Sequence, residues 1–173
     1  MSISIRPYMP ADAPALFEAA RESVADVNLW LPWCHAGYQL CDAETWIASQ
    51  VEAFAARREF AFLIEDSAGR FLGGCGLNHI SELHRLANLG YWVRTSRAGQ
   101  GIAAQAVRLV AEWAFANTNL ERLEIVVAVG NTRSERVAVK SGAQREGLLR
   151  SRLYFHEQPH DAVMYSLVRP ARE

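Results

Sequence analysis

Apolar and polar positions alternate over ISIRPY (3–8), which predicts a first strand that ends before Pro10. From Ala11 to about Arg21 the period lengthens to that of a helix, with Asp12 near its start. A second helix or turn over 26–33 carries VNLWLPW. Asp42 then opens a helix in which Trp46, Ile47, Val51 and Phe54 share a face. FAFLIE (60–65) and FLGGCGLNHI (71–80) read as a hairpin around Ser67-Ala68-Gly69-Arg70. ANLGYWVR (87–94) is a further strand, followed by RAGQG and a helix to about Asn117. In that helix Ile102, Ala106, Leu109, Val110 and Trp113 form the buried stripe, and Gln105, Arg108 and Glu112 take the wet face.

RLEIVVAV (122–129) is nearly all apolar, so both its faces are expected to be covered. Asn131 caps a short helix that ends at Gly142. Two long strands, about 143–155 and 160–168, turn near Glu157-Gln158-Pro159. The order β, α, α, β, β, β, α, β, α, β, β predicts one α/β (α+β) domain over 1–173. A mixed sheet lies between helices on both faces.

Composition narrows the function only by exclusion. The chain has 173 residues and a formal net charge of −1, so no basic field calls for nucleic acid or an anionic membrane. No apolar run is long enough for a membrane span, and MSISIRPYMPAD lacks a signal-peptide core. Cys34, Cys41 and Cys75 match neither a disulfide framework nor a zinc spacing. A cytoplasmic protein with reduced thiols is expected. His156 and His160 lack further ligands at a recognisable spacing, so no metal site is expected.

The stretch RAGQGIAAQAV (97–107) places glycines at the mouth of a helix. A helix N-terminus leaves backbone N–H groups without partners and carries roughly half a positive charge. Gly99 and Gly101 remove side chains that would block an anion, and Ala98, Ala103 and Ala104 are small. A diphosphate fits the amides of about 99–104 without a lysine. A tight strand-to-helix turn would use the same glycines. The stretch is neither a GxGxxG fingerprint nor a P-loop.

YWVRTSRAGQGIAAQAV (91–107) resembles motif A of the GCN5-related N-acetyltransferase (GNAT) superfamily, whose form is Gln/Arg-x-x-Gly-x-Gly/Ala. Gly101 and Ala103 match; Ala98 takes the Gln/Arg position, with Arg97 beside it. NTRSERVAVKSGAQREG (131–147) and HDAVMYSLVR (160–169) are similar to the RimJ/RimL branch, which acetylates ribosomal-protein N-termini; LWLPW (29–33) and GYWV (90–93) also fit. The resemblance implies a sheet splayed around acetyl-CoA and acetyl transfer to an amine. Tyr91, Trp92, Val93 and Arg94 would then line the pantetheine, with the Val93 N–H as oxyanion donor. Arg97, Ala98, Gly99, Gln100, Gly101, Ile102, Ala103 and Ala104 would hold the diphosphate.

Acyl transfer needs a neutral amine, a stabilised oxyanion and a protonated leaving thiolate. The resemblance assigns Ser134 the general-acid role, against the alternative of a serine that only supports a helix start. Asn131, besides capping, would contact the pantetheine or the amine. Arg136 and Lys140 lie four apart on one helix face, within reach of the CoA 3′-phosphate or simply solvated. Relatives often carry a glutamate where this chain has Asn88, and an amide cannot take a proton from an ammonium. His79, Glu82 and a water chain are the replacement bases. Trp30, Trp33, His35 and Tyr154 are candidate walls of the acceptor site, or core. Cys75, between glycines in an apolar strand, is a poor nucleophile, which favours direct attack within a ternary complex.

The expected acceptor is the α-amine of a ribosomal protein. A small polyamine, drug or amino compound is the alternative, and Glu18, Glu22, Asp26 and Glu82 are its acidic candidates. A CoA-binding module without activity and a pure interaction domain remain open from the residues. Exposed sheet edges suit a homodimer.

Overall fold

The computed structural model describes residues 2–171. Seven strands form one sheet in the order β1-β2-β3-β4-β5-β7-β6: Ile3–Pro7 (β1), Phe60–Asp66 (β2), Phe71–Ser81 (β3), Leu86–Val93 (β4), Arg122–Ala128 (β5), Gln144–Phe155 (β6) and Gln158–Val168 (β7). All neighbours pair antiparallel except β4 and β5, which run parallel. Four helices flank the sheet: Ala13–Val27 (α1), Leu40–Ala55 (α2), Ile102–Asn117 (α3) and Thr132–Lys140 (α4). The mixed sheet between two helical layers agrees with the sequence reading.

Alternation along the strands divides the core into two faces. Phe62, Ile64, Leu77, Leu89, Leu123, Ile125 and Val127 pack with Ile102, Ala106, Val107 and Val110 of α3. Leu63, Phe71 and Trp92 meet Leu16, Ala19 and Ile47 of α1 and α2 on the other face. The α3 stripe holds: Ile102, Ala106 and Val110 are buried, and Leu109 and Trp113 pack against that cluster.

The structure differs from the local pattern in four places. A 3₁₀ turn at Pro10–Asp12 precedes α1, because Asp12 is held by Arg6 and by the Met9 N–H rather than starting the helix proper. The proposed second helix over 26–33 does not form: α1 runs on to Val27, and 28–39 is loop and turn, consistent with the break imposed by Pro32. In α2, which starts at Leu40, Ile47 is fully buried while Trp46 and Val51 are 39% exposed, since the helix lies at the margin of the sheet. The last hairpin turns at His156 and Glu157, both at positive φ, one residue before the predicted centre.

Candidate active site

The parallel pair opens like a V. β4 and β5 pair only over Leu86↔Arg122, Ala87↔Leu123 and Asn88↔Glu124, although β4 continues to Val93 and β5 to Ala128. β5 cannot follow β4 because it stays paired with β7 along its whole length. On the other side of β4, the Arg94 N–H donates to the Leu72 carbonyl. Strand alternation therefore turns the N–H and C=O of Tyr91 and Val93 away from β3, into the opening. This is where the predicted oxyanion donor, the Val93 N–H, lies.

Beyond β4 a 3₁₀ turn at Thr95–Arg97 leads to the mouth of α3. Gly99 and Gly101 sit at φ +77° and +79°, the left-handed region that costs a side-chain-bearing residue about 1–2 kcal/mol. A Cβ at either would meet no atom within 4 Å, so conformation rather than space requires glycine. Gln105 is the first α3 residue whose N–H reaches back to a carbonyl, that of Gly101, and no side chain caps the helix. The amides of 99–104 are thus free of backbone acceptors among the described residues.

On the β5 lip, Asn131 caps α4: its Oδ1 accepts from the Ser134 N–H at 3.1 Å. The Asn131 Nδ2 keeps no partner among the described residues, so capping leaves it available. The Tyr91 phenol donates to the Ser134 carbonyl at 3.1 Å and lies 2.9 Å from Ser134 Oγ, whose own hydroxyl can donate to the phenol oxygen. Burial pushes the Tyr91 phenol up to about 12, so it stays protonated at neutral pH. Tyr91, named for its backbone, therefore joins β4 to α4 through its side chain.

The face of the sheet toward α1 and α2 forms a floor. Asn78, Asn88, Glu124 and Ser166 stand in register across β3, β4, β5 and β7. Asn88 Nδ2 donates to Asn78 Oδ1 at 2.8 Å. Glu124 Oε1 accepts from Arg122 Nε at 2.8 Å, and the remaining Arg122 nitrogens grip Glu146. Arg122, followed by Ser166, holds the Glu146 carboxyl down to about 2. Next along β4, Gly90 leaves open space: a Cβ there would come no closer than 4.0 Å to any atom, and that atom is Asn88 Nδ2.

The 28–39 loop stands over this floor. Trp33 meets Trp92 edge-on at 5.3 Å, and Trp30 lies close to Gly130 beyond β5. Cys34 anchors the loop, its Sγ donating to the Ala20 carbonyl. Asp26, at the end of α1, accepts from Thr95 Oγ1 at 2.8 Å and Arg133 at 3.3 Å, one from each side of the V.

Several predicted residues are placed apart from this centre. The Arg94 guanidinium is committed to Glu18, Glu22 and the Phe71 carbonyl, so only its backbone faces the mouth. Glu22 is held near 2 by Arg94. His79 is exposed at φ +48° in the bulge between Asn78 and Ser81, and Glu82 lines a separate cavity with Arg57, Arg58 and Arg85. Tyr154 is 75% exposed on β6. His35 Nδ1 accepts from the Gly37 N–H on the loop's outer part. Arg97, half-buried, stays beside the mouth at the end of the 3₁₀ turn, and Arg136 and Lys140 are exposed on α4. Cys75 is buried, which pushes its thiol up and removes it as a nucleophile. His160 stacks on Phe155, and His156 Nε2 meets the Asn28 carbonyl.

Residues 2–144 match the model of the acetyltransferase (GNAT) domain. The chain belongs to this family. It is 32% identical over 172 residues to "Putative ribosomal N-acetyltransferase YdaF" of Bacillus subtilis, covering 96% of this chain and 91% of that protein. RimL, described as a ribosomal L7/L12 alpha-N-protein acetyltransferase in complex with coenzyme A, superposes with a TM-score of 0.89 at 21% identity, covering 97% and 94% of the two chains. RimJ of Mycobacterium smegmatis, in complex with a CoA disulfide, superposes with a TM-score of 0.85 at 25% identity, covering 96% and 81%. The chain is thus an N-acetyltransferase with the RimJ/RimL-like fold.

The Tyr91 phenol and Glu124 escaped the sequence reading as partners of the site, and Asp26 figures there only as an acidic candidate for a small amine, not as the tie between Thr95 and Arg133. For Glu124 a signal existed. Arg122 and Glu124 are the polar positions on one face of an otherwise apolar strand.

Proposed function

We propose that the protein is an acetyl-CoA-dependent N-acetyltransferase acting on the N-terminal α-amine of a protein, with ribosomal proteins as the acceptor class. The V between β4 and β5 carries this reading, because it presents the Val93 N–H and the Ser134 hydroxyl to one opening. The mouth fits the cofactor: unpartnered amides over 99–104 suit a diphosphate, and the glycine conformations hold them together. Acetyl-CoA supplies an activated thioester carbonyl.

The chain's own groups then divide the work. The Val93 N–H donates to the carbonyl oxygen as negative charge develops there. Ser134 gives a proton to the departing sulfur, and Tyr91 steadies the hydroxyl. The acceptor enters over Gly90, between Asn88 and Trp92, beneath Trp33. A primary ammonium loses two protons overall. One ends on the sulfur and one leaves for solvent.

The names of YdaF and RimL favour a ribosomal acceptor, and such an acceptor places the reaction in the cytoplasm. Chemistry agrees, since an α-amine titrates near 8 against about 10.4 for lysine and needs less help to lose its proton. Free-thiol release from acetyl-CoA, with N-terminal ribosomal peptides, polyamines, amino-sugar drugs and amino acids, tests the reading. Peptide turnover with silent small amines is expected. The reverse pattern replaces the acceptor class.

A further inference from the structure

The family position on β4 that often holds a glutamate is Asn88 here, and its side chain is tied to Asn78. An amide neither takes a proton nor offers charge to an ammonium. A carboxylate stands one strand over. Glu124 is the parallel in-register partner of Asn88, so both side chains leave the same face, with their strands about 4.8 Å apart. The register places them at the apex of the V, where β4 and β5 part.

Charge around Glu124 is not balanced. Arg122 grips Glu146 with both terminal nitrogens and offers only Nε to one Glu124 oxygen. Glu146 is fully ionised at neutral pH. The cluster of two carboxylates and one guanidinium therefore carries one excess negative charge. Its register partners on the flanking strands, Asn88 of β4 and Ser166 of β7, are neutral, and the Ser166 hydroxyl is given to Glu146. The second Glu124 oxygen has no partner among the described residues, and its side chain keeps 19% exposure. A carboxylate so held and so reachable matches an incoming ammonium.

We propose that Glu124 receives the acceptor ammonium and takes the proton from its nitrogen. This rests on the acetyl-transfer reading above. Glu124 takes one proton from the ammonium, directly or through one water, and passes it to solvent, which frees the nitrogen lone pair to form the N–C bond. The C–S bond breaks as Ser134 protonates the sulfur, and the second N–H proton, made acidic by the new bond, refills the Ser134 hydroxyl through water. One acetyl moves, the sulfur gains one proton and one proton is released.

The test uses the full chain and whichever amine of the panel turns over. Glu124→Gln keeps an oxygen for Arg122 and removes the carboxylate. Its kcat/KM at pH 7 is expected to fall about 10²-fold. The deficit shrinks as pH approaches the amine's own pKa, or with acceptors of lower amine pKa. A second readout needs no acetyl-CoA: calorimetry shows a free-amine peptide binding about tenfold more weakly to Glu124→Gln. The N-acetylated peptide binds both proteins alike. If circular dichroism shows Glu124→Gln unfolded, Glu124→Asp, which keeps the charge beside Arg122 and shortens its reach, goes through the same assays.

Unchanged kcat/KM with an unchanged pH profile overturns the assignment. Equal weakening of both peptides also overturns it, because that marks a purely structural role. Turnover of a small amine alone defeats the α-amine reading, and Glu124 is then judged on that amine. Binding of CoA with turnover of no amine defeats both.

Discussion

The mouth of the V and its floor are made of different materials. At the mouth, the groups left open are backbone amides of Tyr91, Val93 and residues 99–104, aimed by strand alternation and by left-handed glycines. On the floor they are side chains in register across the sheet: Asn88, Glu124 and Arg122, with open space over Gly90. A backbone site tolerates most side-chain changes and fails where backbone conformation is changed. A side-chain site fails at single residues and recovers when an equivalent group is supplied nearby. Ser134 belongs to neither, since it sits on the far lip, where the proposed mechanism gives it the leaving group.

The largest effect is expected at that lip. Ser134→Ala removes the proton donor but leaves the Asn131 cap, which uses the Ser134 backbone N–H. Turnover should fall about 10²- to 10³-fold while calorimetric CoA affinity holds. Parallel loss of CoA affinity would assign Ser134 to binding instead.

On the floor, Gly90→Val discriminates between the two materials. Gly90 has no positive φ, so a side chain is conformationally acceptable there. Its branched carbons fill the space beside Asn88, at an expected overpacking cost of about 1–3 kcal/mol once an acceptor is present. KM for the amine should rise by about fivefold to 150-fold by that energy, with CoA binding unchanged. A rise in the CoA Kd of the same size would place Gly90 on the cofactor path.

At the mouth the reverse is expected. Gly101→Ala adds only a methyl group, in open space, but at φ +79°. The strain of about 1–2 kcal/mol should weaken CoA binding by roughly fivefold to thirtyfold, with the amine KM nearly unaffected. Ala103→Ser, on the same turn, should leave CoA affinity within about twofold, because an ordinary helical residue bears no such strain.

The same contrast decides what was legible in the chain. RAGQG announced the mouth because a backbone site must spend glycines at particular positions, and glycines are visible in one dimension. The α3 stripe and the Asn131 cap followed from local periodicity in the same way. The floor depends on register, which no local pattern reports. Asn88 reads as the loss of a carboxylate, and only the pairing with β5 reveals Glu124 beside it. Tyr91 reaches Ser134 across 43 positions of sequence, and Asp26 spans still more to Arg133. Arg94 looked available for the cofactor because Glu22, which claims it, lies on α1 far back along the chain.

The smallest effect concerns acid stability, and it also separates the two materials. The open amides of the mouth have no carboxylate partner among the described residues, whereas the floor includes Glu146, held near 2 against an ordinary 4.5 by Arg122 and Ser166. A carboxyl whose folded pKa is depressed stabilises the fold fully above its unfolded pKa. That contribution is lost as pH falls from about 4.5 toward 2. Glu146 is 37% exposed, so solvent screening limits the contribution to under about 1 kcal/mol. Urea midpoints at pH 6 and pH 3 should therefore draw together in Glu146→Gln relative to the unaltered chain, by a few tenths of that energy. At pH 3 the variant and the unaltered chain should differ least, since most of the lost interaction is already titrating away. A variant equally destabilised at both pH values would show that Glu146 acts through packing, and the excess charge assigned to Glu124 would then vanish, since Glu124 and Arg122 alone balance.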